Sequence, residues 1–277
     1  MRNQSAVFSL QSSVLVVAAF GALAGCSPKA PPAAPAGATT GLTIATVATL
    51  PTTPTDGAWE GATPFTVKLL PQDVTEPRLR EVTVPEAEAR VVSDGKTLAV
   101  RLTWADATRD DDLALQKFPD ACAVQLPGIV GPDVPDAQMG QPGRPVLITL
   151  WKAHWQAIAE GRPATIARMF PNALIDYYPH GDHVSANVVG NPMASPPDKR
   201  TSQDLEAEGF GSLRRAATQA SVAKGVYADG KWTVVLTRPL PGPITKTYLA
   251  FAVWDGGKGN VGARKMRSEW VGAAVKP

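Results

Sequence analysis

The sequence predicts a mainly β protein, an antiparallel β-sandwich with long loops and a few short helices. Three observations predict it. Short segments alternate apolar and polar residues with the period of two that a half-buried strand requires. Glycine and proline, 24 and 26 of the 277 residues, punctuate those segments. Two Asp-Gly pairs, Asp94-Gly95 and Asp229-Gly230, each lie between two such segments, where a tight hairpin turn needs residues that tolerate positive φ.

The elements follow in order. In "TLAVRLTW" the residues Leu98, Val100, Leu102 and Trp104 share one face, and a two-residue turn at Asp94-Gly95 joins this strand back to "EARVVS". A second hairpin is "SVAKGVYADGKWTVVLTR". A two-residue turn at Asp229-Gly230 pairs Ala228 with Lys231, Val226 with Thr233, Lys224 with Val235 and Val222 with Thr237. Tyr227, Trp232, Val234 and Leu236 then point to the opposite side. Both faces are substantially apolar, which predicts a strand pair buried twice. Lys224 shares a face with Val222, Val226 and Val235, so it either snorkels to water or is desolvated as a neutral amine able to bind a metal. Further strands are expected at "PFTVKLL", "EVTV", "ACAVQL", "PVLITLW" and "KTYLAFAVW". Helix is expected only in "WKAHWQAIAEG" and around Asp204 to Arg215, and the chain has no internal repeat.

The start of the chain reads as an export signal, residues 1–25. It has Arg2, an apolar run from Val14 to Leu23 too short to span a bilayer permanently, and the ending Leu23-Ala24-Gly25-Cys26. A cysteine directly after Leu-Ala-Gly resembles the lipobox of bacterial lipoproteins. The resemblance implies that Cys26 is the lipidated first residue of the mature chain. Ser27, in place of an aspartate, implies sorting to the outer membrane, so the protein is expected lipid-anchored on the periplasmic side of the envelope. Residues 26–57, rich in Pro, Ala and Thr, are expected to be a semi-extended tether; an edge strand at Leu42 to Leu50 is the alternative. Residues 58–277 form the globular part, about 220 residues, enough for one large β domain or two small ones.

Removing the signal removes Arg2, one of 27 basic residues, and leaves 26 against 25 acidic ones. Near-neutral charge gives no case for nucleic acid. The chain has two cysteines, and with Cys26 acylated only Cys122 remains, so no intrachain disulfide is expected. CxxCH, GxSxG, P-loop and HExxH motifs are all absent, which removes covalent c-type haem attachment and the common hydrolase and nucleotide signatures. "HGDH", with His180 and His183, sits in a Pro- and Gly-flanked loop and lacks a further ligand at a known spacing, so it reads as a solvated loop. His154 follows "LWKA" on an expected helix and reads as a satisfied, partly buried histidine. Met139 is out of place in "DAQMGQPGRPV", a polar, Gly- and Pro-rich loop with no core of its own.

"PFTVKLLPQDV", "LAVRLTWADATRD", "FPDACAVQLP", "MGQPGRPVLITLWKAHWQ", "DGKWTVVLTRPL" and "LAFAVWDGGKGNVGARKMRSEW" occur in this order. Together they resemble the haem b-binding gamma subunit of type II molybdoenzymes of the DMSO reductase family, the ethylbenzene dehydrogenase-like haem domain. The resemblance runs from about Trp59 to Val271, and it implies a β-sandwich holding one haem b. Such a protein relays electrons between a periplasmic oxidoreductase with molybdenum and iron–sulfur subunits and a redox carrier, and is no enzyme itself. The resemblance implies methionine and lysine as axial ligands of the haem iron, Met139 and Lys224, with Lys231 as the alternative lysine. Two filled axial positions leave no site for substrate, and an amine ligand must arrive deprotonated, so binding weakens as pH falls. Arg144, Arg238, Lys265 and Arg267 are candidate partners of the haem propionates; Trp151, Trp155 and Trp254 are candidate pocket walls. The lipid anchor departs from what a subunit of a soluble complex needs. The competing reading is a cofactor-free lipoprotein sandwich that binds a carbohydrate or other ligand through exposed Trp and Tyr, as "DYYPHGDH" and the seven tryptophans suggest.

Overall fold

The computed structural model describes residues 39–112, 116–129, 134–162, 172, 191–194 and 199–276. Among them are fourteen strands: β1 (Thr39–Thr46), β2 (Phe65–Lys68), β3 (Leu70–Pro71), β4 (Glu86–Ser93), β5 (Thr97–Ala105), β6 (Ala121–Pro127), β7 (Val146–Lys152), β8 (Ser202–Ala207), β9 (Arg214–Arg215), β10 (Val222–Ala228), β11 (Lys231–Pro239), β12 (Lys246–Trp254), β13 (Met266–Arg267) and β14 (Val271–Val275). The α-helix described is α1 (Ala153–Ala159). No described helix is long and apolar enough to cross a membrane.

The strands hydrogen-bond in the order β10-β11-β5-β4-β1-β14-β12-β6-β7-β8-β9. Strand β12 turns the corner between the two layers. Its first half, Lys246 to Leu249, pairs with β14, and its second half, Ala250 to Trp254, pairs with β6. The main core lies between the layers, drawing Leu98, Val100, Leu102 and Trp104 from β5, Trp232, Val234 and Leu236 from β11, and Cys122, Val124 and Leu126 from β6. These are the residues that the period of two turns to one side. Trp104, Trp151 and Trp232 meet there, with ring centroids 6.5, 6.5 and 5.0 Å apart. Such aromatic pairs add about 0.5–1.5 kcal/mol each beyond their buried area. A second apolar layer, with Ala123, Ile148, Leu150, Leu205, Ala250 and Ala252, covers the outer face of the β6–β7–β8–β12 layer.

The second hairpin has the register expected for it, Ala228 opposite Lys231 and Lys224 opposite Val235, with Asp229 and Gly230 both at positive φ, 50° and 67°. Its burial differs from expectation. Strand β10 is the edge of the ladder, so Val222 and Val226 are 59 % and 38 % exposed and Lys224 is exposed beside them. The first hairpin is longer than expected. Ser93 pairs with Leu98, and Asp94 Oδ1 accepts from the N–H groups of Lys96 and Thr97 at 2.9 and 2.7 Å, holding the loop open past Gly95.

Three other expectations are corrected. Asp204 to Arg215 is not helical: it contributes to β8 and to β9, and tertiary contacts override helix propensity because Asp204 is buried as an acceptor for Ala220 and Ser221 N–H at 2.8 and 2.9 Å. "EVTV" is no strand; Thr83 N–H is spent on Met266 Sδ, 3.5 Å away, and the following Pro85 offers no ladder donor. The expected tether stops short of residue 57. Its second half contains β1, which lies parallel to both β14 and β4 with Leu42 and Ile44 buried in the main core. Residues 1–38, with the expected signal and Cys26, and the "HGDH" loop lie outside the described residues.

Candidate functional site

The second apolar layer is incomplete, and the gap is a cavity of about 490 Å³. The sequence opens it through alanine. On β6 and β12 the inward positions carry Cys122, Val124, Phe251 and Val253, whereas the outward ones carry Ala123, Ala250 and Ala252. Methyl groups on one face of a pleated surface make a flat, apolar floor. Ile148, Leu150 and Leu205 extend it across β7 and β8, and Trp254 closes one end. Loops form the walls, bringing in Met139, Met193, Phe210, Leu213, Gln72 and the turn before Lys265.

Met139 is held in the left-handed region, φ 77°, and is followed by Gly140 at 72°. Such a backbone persists in a non-glycine residue only where its surroundings enforce it. Here they do: Gly140 N–H donates to Asp136 O at 2.9 Å, Gly209 N–H to Met139 O at 2.8 Å, Gln125 Nε2 to Ala137 O at 2.9 Å and Trp270 Nε1 to Pro135 O at 2.7 Å. A Cβ on Gly140 would lie 2.8 Å from Arg144 O, so glycine is required.

Lys265 follows a tight turn in which Arg264 N–H donates to Val261 O at 3.0 Å, and its own carbonyl accepts from Gln72 N–H at 2.9 Å. Its Nζ lies 4.0 Å from Met139 Sδ and 5.3 Å from the centre of the Trp254 ring. Loss of water, with a smaller contribution from the Arg267 charge, pushes its amine down to about 8. A thioether and an amine held near neutrality thus converge over an apolar floor. Bonds from a first-row metal to sulfur and nitrogen run about 2.3 and about 2.0 Å, so one metal atom could take both.

The expected site residues separate into two groups. Met139, Lys265, Arg267 and Trp254 line the cavity. Lys224 does not: it stands exposed on the edge strand β10, and the Lys231 side chain is exposed at the end of the same hairpin. Both faces of that hairpin are apolar in sequence, but the face of β10 that carries Val222, Lys224 and Val226 is exposed. Arg144 braces the Met139 loop instead, its Nη2 donating to Val134 O at 3.2 Å. Arg238 is spent on Asp204, 3.0 Å away, and Thr149. Trp151 faces the main core, where its Nε1 donates to Gln156 Oε1 at 3.0 Å. Trp155 is buried within the second layer, with Lys152 Nζ 4.9 Å from the centre of its ring. His154 is buried on α1, and burial with the Lys152 charge pushes its imidazole down to about 3. The sequence reading placed Lys265 and Arg267 among the propionate partners and missed that Lys265 meets Met139. The available signal was two cations two residues apart in "ARKMRSEW", close behind the strand that carries Ala250 and Ala252.

A second polar cluster lies apart from the cavity lining. Asp106, Asp120 and Asp255 are buried with carboxylate oxygens within 4.8 Å of one another. Asp120 accepts from Asp110 N–H, Trp232 Nε1 and Gly256 N–H at 2.7, 2.8 and 2.8 Å, and Asp255 pairs with Lys258 at 3.0 Å. Burial, reinforced by neighbouring carboxylates, raises both Asp106 and Asp120 above the usual carboxylate range.

No family model matches the chain. The chain is 24 % identical over 226 residues, 78 % of its length, to a protein from Haloferax mediterranei named as a proposed respiratory nitrate reductase heme subunit. It spans 65 % of that relative's length. Among solved structures, it overlaps a carbohydrate-binding module family 9 domain from Caldicellulosiruptor kristjanssonii in complex with cellotriose, with a TM-score of 0.38, 8 % identity and coverage of 85 % of this chain and 93 % of that one. The same module in complex with glucose overlaps with a TM-score of 0.37 and 9 % identity, covering 86 % and 96 %.

Proposed function

We propose that the cavity binds one haem b with Met139 and Lys265 as its two axial ligands, and that the protein transfers electrons and catalyses no reaction of its own. One observation carries this reading: Met139 Sδ and Lys265 Nζ, 126 residues apart in sequence, approach to 4.0 Å inside an apolar cavity. The residues fit the group. An apolar, alanine-lined cavity would suit a macrocycle, and a thioether and an amine would suit its iron.

When bound, haem supplies a one-electron ferric–ferrous couple. The chain's own residues set its conditions. Met139 offers a soft, neutral donor, which favours the ferrous state and raises the potential. Lys265 must give up its proton before it can donate its lone pair, and loss of water has already weakened its hold on that proton. If Met139 and Lys265 both held the iron, they would leave it no site for substrate, which supports electron transfer over catalysis.

The name of the Haloferax relative supports a molybdenum and iron–sulfur oxidoreductase as the partner on one side, with a redox carrier on the other. The Leu-Ala-Gly-Cys stretch supports lipidation at Cys26 and a place on the periplasmic side of the envelope, at the outer membrane; the mass of the mature N-terminal peptide tests it. The carbohydrate reading relied on exposed Trp and Tyr; all seven tryptophans, from Trp59 to Trp270, are buried, and "DYYPHGDH" lies outside the described residues.

Adding haemin to the full chain tests the proposal. A Soret band at one equivalent, sharpening and shifting on dithionite reduction, is expected. A protein that stays colourless contradicts it.

A further inference from the structure

Among the described residues, three charged ones line the cavity: Glu76, Lys265 and Arg267. Glu76 pairs with Arg78 at 3.0 Å and carries the wrong sign for an anion. Lys265 lies against Met139 and is the amine donor. Arg267 remains. Its side chain is 11 % exposed, one terminal nitrogen is bound to Glu269, and its Nε is buried without a hydrogen-bond partner. A buried guanidinium nitrogen left unpaired costs free energy that an acceptor in the cavity would recover.

Two other polar side chains on the wall, Gln72 and Ser268, are already engaged. Gln72 Nε2 donates to Thr75 O and Ala263 O at 2.9 and 3.1 Å, while its Oε1 accepts from Val74 and Thr75 N–H at 2.7 and 2.8 Å. Ser268 Oγ donates to Glu269 O and accepts from Phe251 N–H, at 2.7 and 2.9 Å. Strand pairing fixes Arg267 opposite Ala252 of the floor, two residues beyond Lys265. An occupant whose metal is held at Lys265 would therefore have its edge within reach of Arg267.

The geometry points to Arg267 as the residue that recognises a carboxylate on the edge of the cavity's occupant, which, on the haem reading above, is a propionate. The pocket is thereby selective for a macrocycle with a free carboxylate, and Arg144 and Arg238, both spent elsewhere, take no part.

Competitive titration of the haem-free full chain tests this with two probes, haemin and its dimethyl ester, which lacks the free carboxylates. The wild-type chain is expected to bind haemin about tenfold or more tightly than the ester, as a charge-assisted hydrogen bond to a buried group would give. Arg267→Leu is expected to lose that preference by weakening haemin alone. Arg267→Lys, which keeps the charge and is the milder change if the first variant fails to fold, is expected to lose part of it. Equal wild-type affinity for both probes, or equal loss of both in either variant, overturns the role of Arg267. Failure of the wild-type chain to bind either probe overturns the haem reading itself and the assignment with it.

Discussion

Met139 Sδ and Lys265 Nζ stand 4.0 Å apart, one on a loop between β6 and β7 and the other just before β13. The methionine occupies a left-handed backbone that disfavours it, and the lysine amine has lost much of its water.

The loop that presents Met139 depends on Gly140. Alanine there would add strain at φ 72° and press its Cβ to 2.8 Å from Arg144 O. Gly140→Ala is expected to cost about 1–3 kcal/mol of stability and to weaken haemin binding, read by thermal melting and Soret titration. A variant as stable and as tight as the wild type would show that the loop geometry does not matter.

The floor is testable from the opposite direction. Ala252→Leu projects a larger side chain into the cavity, away from the main core. Haemin binding is expected to fall at least about tenfold while the melting temperature moves by only a few degrees, since filling a cavity creates no core clash. Unchanged binding would place the macrocycle elsewhere.

Proton competition at Lys265 fixes the pH dependence. The folded amine is lowered from 10.5 to about 8, so above that value the donor is already neutral, and below it a proton must leave before ligation. Apparent haemin affinity is therefore expected to be flat above about pH 8 and to fall by up to about tenfold per unit below it. Lys265→Ala should remove this slope. An affinity independent of pH between 6 and 9 in the wild type would exclude a lysine ligand.

The acidic cluster has its own pH signature. The folded state raises Asp106 and Asp120 above the usual carboxylate range, so it binds protons more tightly than the unfolded chain does. Stability from this source is complete below the unfolded value and is lost as pH rises through the folded ones. The melting temperature is expected to fall as pH increases from about 4 toward neutrality, and Asp106→Asn, which relieves the repulsion, should flatten that fall. A rise over the same interval in the wild type alone, absent from the variant, would reverse the assigned sign.

Local pattern made much of this legible. The Asp229-Gly230 turn needs positive φ at both positions, so its register followed from two residues, and "KTYLAFAVW" matches β12 from Lys246 to Trp254. What could not be read depends on distant neighbours. Strand β1 pairs in parallel with β14 and β4, and a parallel partner leaves no turn nearby to announce it. The two apolar faces of β10 gave no sign that it ends the ladder, which left open whether Lys224 snorkels or is desolvated; it is exposed. Lys265 stood out as a cation, but only the pairing of β13 with β12 carries its strand beside the cavity floor that Met139 overhangs.

The most direct measurement is the electron paramagnetic resonance spectrum of the ferric, haem-loaded protein with each lysine removed in turn. The wild type and Lys224→Ala are expected to give the same low-spin signal of two strong axial donors, and Lys265→Ala to lose it for a high-spin or altered one. A low-spin signal unchanged in Lys265→Ala but lost in Lys224→Ala would contradict the assignment of the site.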